Sequence, residues 1–201
     1  MVYTLDKKKA LKIFEKIFLI RSVEETIARE YSSQEMRCPV HLSIGQEAVP
    51  AVLSLLLNNK DLAVSTHRGH AHYLGKGGDL KKMIAEIYGK ETGCSKGKGG
   101  SMHLIDKKVG FYGTSAIVGN SIPIGVGLAY NFKNKKEKNL SVVYFGDGAM
   151  EEGVFFESIN LAAVKQTPTL FVCENNLYSV YSPLQVRQPS NRNVKNMVTS
   201  L

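Results

Sequence analysis

No apolar run in this 201-residue chain reaches the length of a membrane-spanning helix. Residues 1–9 lack the charged start, apolar middle and small-residue cleavage site of a secretory signal. The expected compartment is therefore the cytoplasm, and a membrane partner is not expected. Cysteine is scarce. Cys38, Cys94 and Cys173 are odd in number and widely spaced, which excludes a disulfide framework and any zinc or redox spacing. They read as reduced thiols, with Cys173 inside a buried strand. No repeat, linker or low-complexity stretch divides the chain, so residues 1–201 are read as one domain.

The composition is that of an ordinary globular protein, 43% apolar and 22% charged. The net charge of +8 raises the question of nucleic acid. The lysines are spread over residues 7–9, 81–82, 107–108 and 133–138, each group near a turn or helix end and without interleaved aromatics. That distribution fits a solvated surface better than a nucleic-acid face.

Helical spacing of apolar residues predicts a long amphipathic helix over residues 4–34, capped by Thr4 or Asp6. Further helices are expected over 46–57, with Pro50 in the first turn, and over 79–88, capped by Asp79. Residues 62–66 read as a strand ending in the loop His67-Arg68-Gly69-His70, and residues 93–100 as irregular. Residues 120–132 read as a buried helix in which Gly125 and Gly127 allow close packing. Gly125-Val126-Gly127 is not a dinucleotide fingerprint, because no strand precedes it and the third glycine is missing.

The densest signal is Gly146-Asp147-Gly148, followed 28 residues after its last glycine by Asn176. Apolar runs at 141–145 and 169–173 flank a helical stretch at 150–166. The pattern is strand, acidic turn, helix, strand, polar loop. It sets Asp147 and Asn176 at the same ends of neighbouring parallel strands, where open α/β sheets bind ligands. Two hard oxygens there suit Mg²⁺, which takes its remaining ligands from phosphate and water. A helix starting just after Gly148 would aim its first amides at an anion.

Other segments carry two readings each. His67, Arg68, His70 and His72 are either a solvated polar loop or a site in which Arg68 forks phosphate oxygens and His67 donates to phosphate or contacts a substrate. Residues 96–103 lack the Walker pattern and fit either a loop over an active site or subunit contact, or a solvated surface. His41, before a helix start, can bind an anion, shuttle a proton or be structural. Glu47 is expected to complement the dipole of the helix it begins. Residues 113–119 place Ile117 and Val118 either in the core or on a shelf under an aromatic ring.

Taken in order, HLSIGQEA, STHRGHAHYLGKG, AEIYGK, KGKGGSMH, AIVG, GDGA and FESINLAA through ENN resemble one family. It is the alpha subunit of the thiamine diphosphate-dependent dehydrogenase component of 2-oxo acid and acetoin dehydrogenase complexes. The resemblance covers residues 41–178. It implies an α/β thiamine diphosphate-binding fold with a mostly parallel sheet flanked by helices. Residues 1–40 would form an N-terminal helix and loop, 41–180 the cofactor core, and 181–201 a polar, poorly ordered tail. It also implies that the family's further C-terminal strands, and a loop with a histidine and a regulated serine, lie beyond Leu201.

By the same resemblance, Asp147, Asn176 and the backbone carbonyl of Tyr178 would bind Mg²⁺. The amides of Gly148 and Ala149, with Arg68, would hold the diphosphate. Val118 would support the bent cofactor, with His67 beside it; Ala116 stands in the same loop, where relatives often have glycine. His41, His67 and His70 would be the catalytic histidines. The implied reaction cleaves a 2-oxo acid or acetoin and passes the acyl group to a lipoyl arm on an acyltransferase core. His67 resembles the acetoin branch, since the pyruvate branch typically has tyrosine there. A beta subunit would supply the activating glutamate in an α₂β₂ assembly. The rival readings are a transketolase- or decarboxylase-type thiamine enzyme, and a truncated form or interaction subunit that binds cofactor without turnover.

Overall fold

Apolar residues at successive rather than alternate positions mark strands covered on both faces. In the computed structural model, which describes residues 5–201, four strands form the sheet: β1 (Leu62–Thr66), β2 (Phe111–Ser115), β3 (Ser141–Gly146) and β4 (Thr169–Glu174), of which β1 and β3 are of this kind and β2 takes up part of the turn expected over 113–119. All pairings are parallel and the order is β2-β1-β3-β4. Ala63, Val142 and Tyr144 join a core with Ile20, Ile27, Tyr73 and Met83. The alternate residues Val64, Val143 and Phe145 join a second core with Ile122, Phe155 and Ile159. The expected α/β architecture is thus present, with helices on both faces.

The first layer holds α1 (Lys7–Glu30), α2 (Ala48–Leu53), α3 (His70–Gly75) and α4 (Leu80–Ile87). Asp6 caps α1 by accepting from the Lys8 amide at 2.9 Å; Thr4 lies outside the described residues. Asp79 caps α4 by accepting from the Lys82 amide. The second layer holds α5 (Ser121–Asn134) and α6 (Gly153–Lys165). Beyond β4 come a small hairpin of β5 (Tyr178–Ser179) and β6 (Ser182–Pro183), then α7 (Leu184–Arg187) and α8 (Val194–Thr199). No helix among the described residues is long and apolar enough to cross a membrane.

Several expectations need correction. His70 opens α3 rather than closing a loop, because its ring is buried against α1. The second helix is shorter than 46–57 and starts at Ala48. A 3₁₀ turn over Asp147–Glu151 separates Gly148 from α6, so helix amides do not follow the acidic turn directly. Cys173 is exposed on β4, an edge strand, rather than buried. Its thiol is still pushed up to about 11, by the packing around it and by the charges of Asp147 and Glu174. Residues 181–201, expected as a poorly ordered tail, contribute β6, α7 and α8.

Only one of the two α5 glycines packs closely. A Cβ on Gly125 would lie 2.1 Å from Val143 Cγ2 and 3.0 Å from Val64 Cγ2, whereas nothing stands within 4 Å of one on Gly127. Gly125→Ala is therefore expected to destabilise by about 2 kcal/mol through overpacking. Gly127→Ala should instead stabilise by up to about 1 kcal/mol, the helix-propensity difference. Urea unfolding of the two variants checks this; equal midpoints would refute the close approach.

Candidate active site

The strand order reverses direction between β1 and β3, since β2 follows β1 on one side and β3 lies on the other. Ligands of doubly wound sheets bind outside the strand ends at such a point. Here the C-terminal ends of β1, β3 and β4 deliver His67 and Arg68, Gly146 to Ala149, and Glu174 and Asn176. These residues line a cavity of about 110 Å³ together with Gln46, Thr66, Val118 and the hairpin residues Tyr178 to Val180.

Asp147 is 2% exposed. Its Oδ2 accepts from Arg187 Nη2 at 2.5 Å. Its Oδ1 is buried and has no hydrogen-bond partner among the described residues. A buried carboxylate oxygen without a donor is costly, and this one is open to a donor or a cation. Asn176 stands at the end of β4 and is exposed; its Oδ1 accepts from the Tyr178 amide at 3.0 Å. Among the described residues no three His, Cys, Asp or Glu side chains cluster as a metal cage.

Arg68 is held by its backbone amide on Thr66 Oγ1 and by its Nη1 donating to the Leu42 carbonyl. The rest of its fork is available to an anion. His41 and His67 meet edge to face with ring centroids 4.7 Å apart. Burial lowers the pKa of both rings, reinforced by Arg68 and, for His67, by His41. Both are held as neutral imidazoles that can accept a hydrogen bond or a proton. Ile117 and Val118 are 67% and 49% exposed, so the core reading of that loop is excluded.

Two expected site residues fall elsewhere. His70 is fully buried, with Nδ1 3.0 Å from Glu24 Oε1 and Nε2 2.8 Å from Ser101 Oγ. Both nitrogens are engaged, so His70 ties α1 to the glycine-rich loop and does not line the cavity. Ala116 is exposed and does not line the cavity. Glu47 stands at the N-terminus of α2 as expected, without a side-chain capping bond; its carboxylate pairs with Arg21 Nε at 2.6 Å and accepts from the Gly45 amide. The glycine-rich loop also stays away from the cavity. The fully buried Glu86 accepts from the amides of Ser95, Gly97, Gly99 and Gly100.

The sequence reading missed Gln46, Glu174 and Arg187. Glu174 Oε1 lies 3.1 Å from His72 Nε2, an ion-pair distance rather than an aligned hydrogen bond. His72 Nδ1 shares a 2.8 Å hydrogen bond with Ser65 Oγ, and its ring stacks on Tyr144. The i+2 spacing of His70 and His72 was a visible signal, but it does not tell that both are core residues.

A carboxylate, an amide and a guanidinium gathered from three parallel strands define an α/β domain suited to holding an anion together with a cation. This chain belongs to the dehydrogenase E1 component family, whose sequence model matches residues 15–196. Over 182 residues it is 43% identical to the alpha subunit of acetoin:2,6-dichlorophenolindophenol oxidoreductase from Bacillus subtilis, covering 90% of this chain and 55% of that protein. It is 41% identical to the pyruvate dehydrogenase E1 alpha subunit of Rickettsia bellii, covering 87% and 53% respectively. With the mitochondrial pyruvate dehydrogenase E1 alpha subunit of Solanum tuberosum the identity is 40%, covering 86% and 44%. The chain thus spans about half the length of these relatives.

Proposed function

We propose that this chain is the cofactor-binding part of the alpha subunit of a thiamine diphosphate- and Mg²⁺-dependent dehydrogenase component. It acts on a 2-oxo acid or acetoin and passes the acyl group to a lipoyl arm. The observation that carries this reading is the orphaned Asp147 Oδ1 at the strand ends, with Asn176 on one side and Arg68 across the switch point. When bound, the cofactor supplies the electron sink for carbon–carbon cleavage.

Asp147, Asn176 and the Tyr178 carbonyl hold the cation. Arg68 and the amides of Gly148 and Ala149 hold the diphosphate. Val118 offers an apolar support, and the neutral His41 and His67 contact the substrate or a phosphate and exchange a proton there. Two observations support a beta subunit that completes the site. The cavity is smaller than the roughly 300–1,000 Å³ of complete small-molecule pockets. Also, Glu174, the carboxylate beside Asp147 in the lining, is tied to His72 and poorly placed to activate a cofactor ring. The acyltransferase core and the α₂β₂ arrangement follow from the same reading.

Arg68→Ala is expected to weaken thiamine diphosphate far more than unphosphorylated thiamine, because only the former presents an anion to the fork. Calorimetry giving equal losses for the two ligands would count against a phosphate role. Turnover is tested with the chain and its beta subunit, by dye reduction with pyruvate, a branched 2-oxo acid and acetoin. Silence with all three would sink the reading. His67 favours acetoin.

A further inference from the structure

Arg187 reaches the site from α7, 40 residues beyond Asp147. Its guanidinium is almost fully buried. It donates Nη2 to Asp147 Oδ2 at 2.5 Å, Nη1 to Glu151 Oε1 at 2.6 Å and Nε to the Ser182 carbonyl at 3.2 Å. Gln188 Nε2 adds a 2.9 Å bond to the same Glu151 oxygen. The segment also rests on the acidic turn. A Cβ on Gly148 would come within 2.8 Å of Ser179 Oγ and 3.5 Å of Arg187 Nη1.

Without this arginine, Asp147 and Glu151 would be two carboxylates on one 3₁₀ turn, a pair able to hold a divalent cation by themselves. With it, Glu151 Oε1 and Asp147 Oδ2 are taken, the Glu151 carboxylate is turned to the guanidinium, and on Asp147 only Oδ1 is left. The guanidinium also adds a positive charge beside the cation position. A cation there is then under-coordinated and repelled unless an anion arrives with it.

We propose that Arg187 is a positioning residue that makes cation binding depend on the diphosphate. It holds Glu151 through Oε1 and occupies Asp147 Oδ2, so that the cation is held jointly by Asp147 Oδ1, Asn176 and the anionic ligand. This rests on the cation-and-diphosphate reading given above.

The test is Mn²⁺ binding by the full chain, followed by electron paramagnetic resonance with and without thiamine diphosphate. In the wild type, Mn²⁺ alone should bind weakly, and the diphosphate should tighten it at least tenfold. Arg187→Gln should tighten Mn²⁺ alone by roughly tenfold, the scale of one removed charge at this range. It should also shrink the enhancement by the diphosphate. Misfolding loses binding and cannot produce this gain. Arg187→Lys, which keeps the charge, should stay close to wild type. Unchanged or weaker Mn²⁺ binding in Arg187→Gln, with coupling intact in the wild type, overturns the inference alone. Absence of coupling in the wild type itself sinks the underlying cation-and-diphosphate reading, and the inference with it.

Discussion

Asp147→Ala is expected to abolish Mg²⁺-dependent binding of thiamine diphosphate, read as loss of the calorimetric signal at saturating Mg²⁺. The substitution removes the one buried carboxylate oxygen that faces the cavity without a donor. Asn176 is exposed and its oxygen already accepts from the Tyr178 amide, so it cannot replace a charged ligand. Asp147→Asn keeps one oxygen but loses the charge, and should retain only weak binding. The alanine variant leaves Arg187 paired with Glu151 alone, so circular dichroism should accompany the titration. Full affinity in a folded Asp147→Ala would remove the metal assignment.

The second large effect concerns stability. Glu86→Ala is expected to destabilise the chain by about 4 kcal/mol. Four backbone amides, at 2.6 to 3.2 Å, lose their acceptor at once. Each buried donor left without a partner costs roughly 1–3 kcal/mol, reduced here where water reaches the opened loop. Glu86→Gln should be milder, since one oxygen still accepts. Urea unfolding with an unchanged slope measures the loss. A change below about 1 kcal/mol would mean that the loop holds its shape by other means.

Three of the four strands were legible because their signal is local; β2 was not, since FYGTS carries no apolar run and residues 113–119 read as a turn. The span of β1 was read at its true bounds, and both β1 and β3 carry apolar residues that face opposite layers. The acidic turn and the Asn176 loop were likewise placed by strand and helix lengths alone. What escaped the reading depends on partners far along the chain. His70 looked catalytic because nothing near it announces Glu24, 46 residues earlier. Glu86 sits on an ordinary amphipathic helix, and its role exists only once the loop folds over it. Arg187 lay in a stretch read as a polar tail, where a charge has no periodicity to betray its target. Ala116 was carried over by resemblance, and the turn of its loop leaves it outside the cavity.

The buried bond from Glu24 through His70 to Ser101 also has a consequence in time. His70 follows Glu24 by 46 residues, and Ser101 follows His70 by another 31. At roughly 5–20 residues per second, synthesis supplies the last member about 4 to 15 s after the first. In the earlier part of that interval, until residues 73 and 83 are made, the α1 side chains Ile20 and Ile27 have no Tyr73 or Met83 to cover them. A nascent helix of this kind is left waiting with its apolar side bare until the elements that cover it have been made.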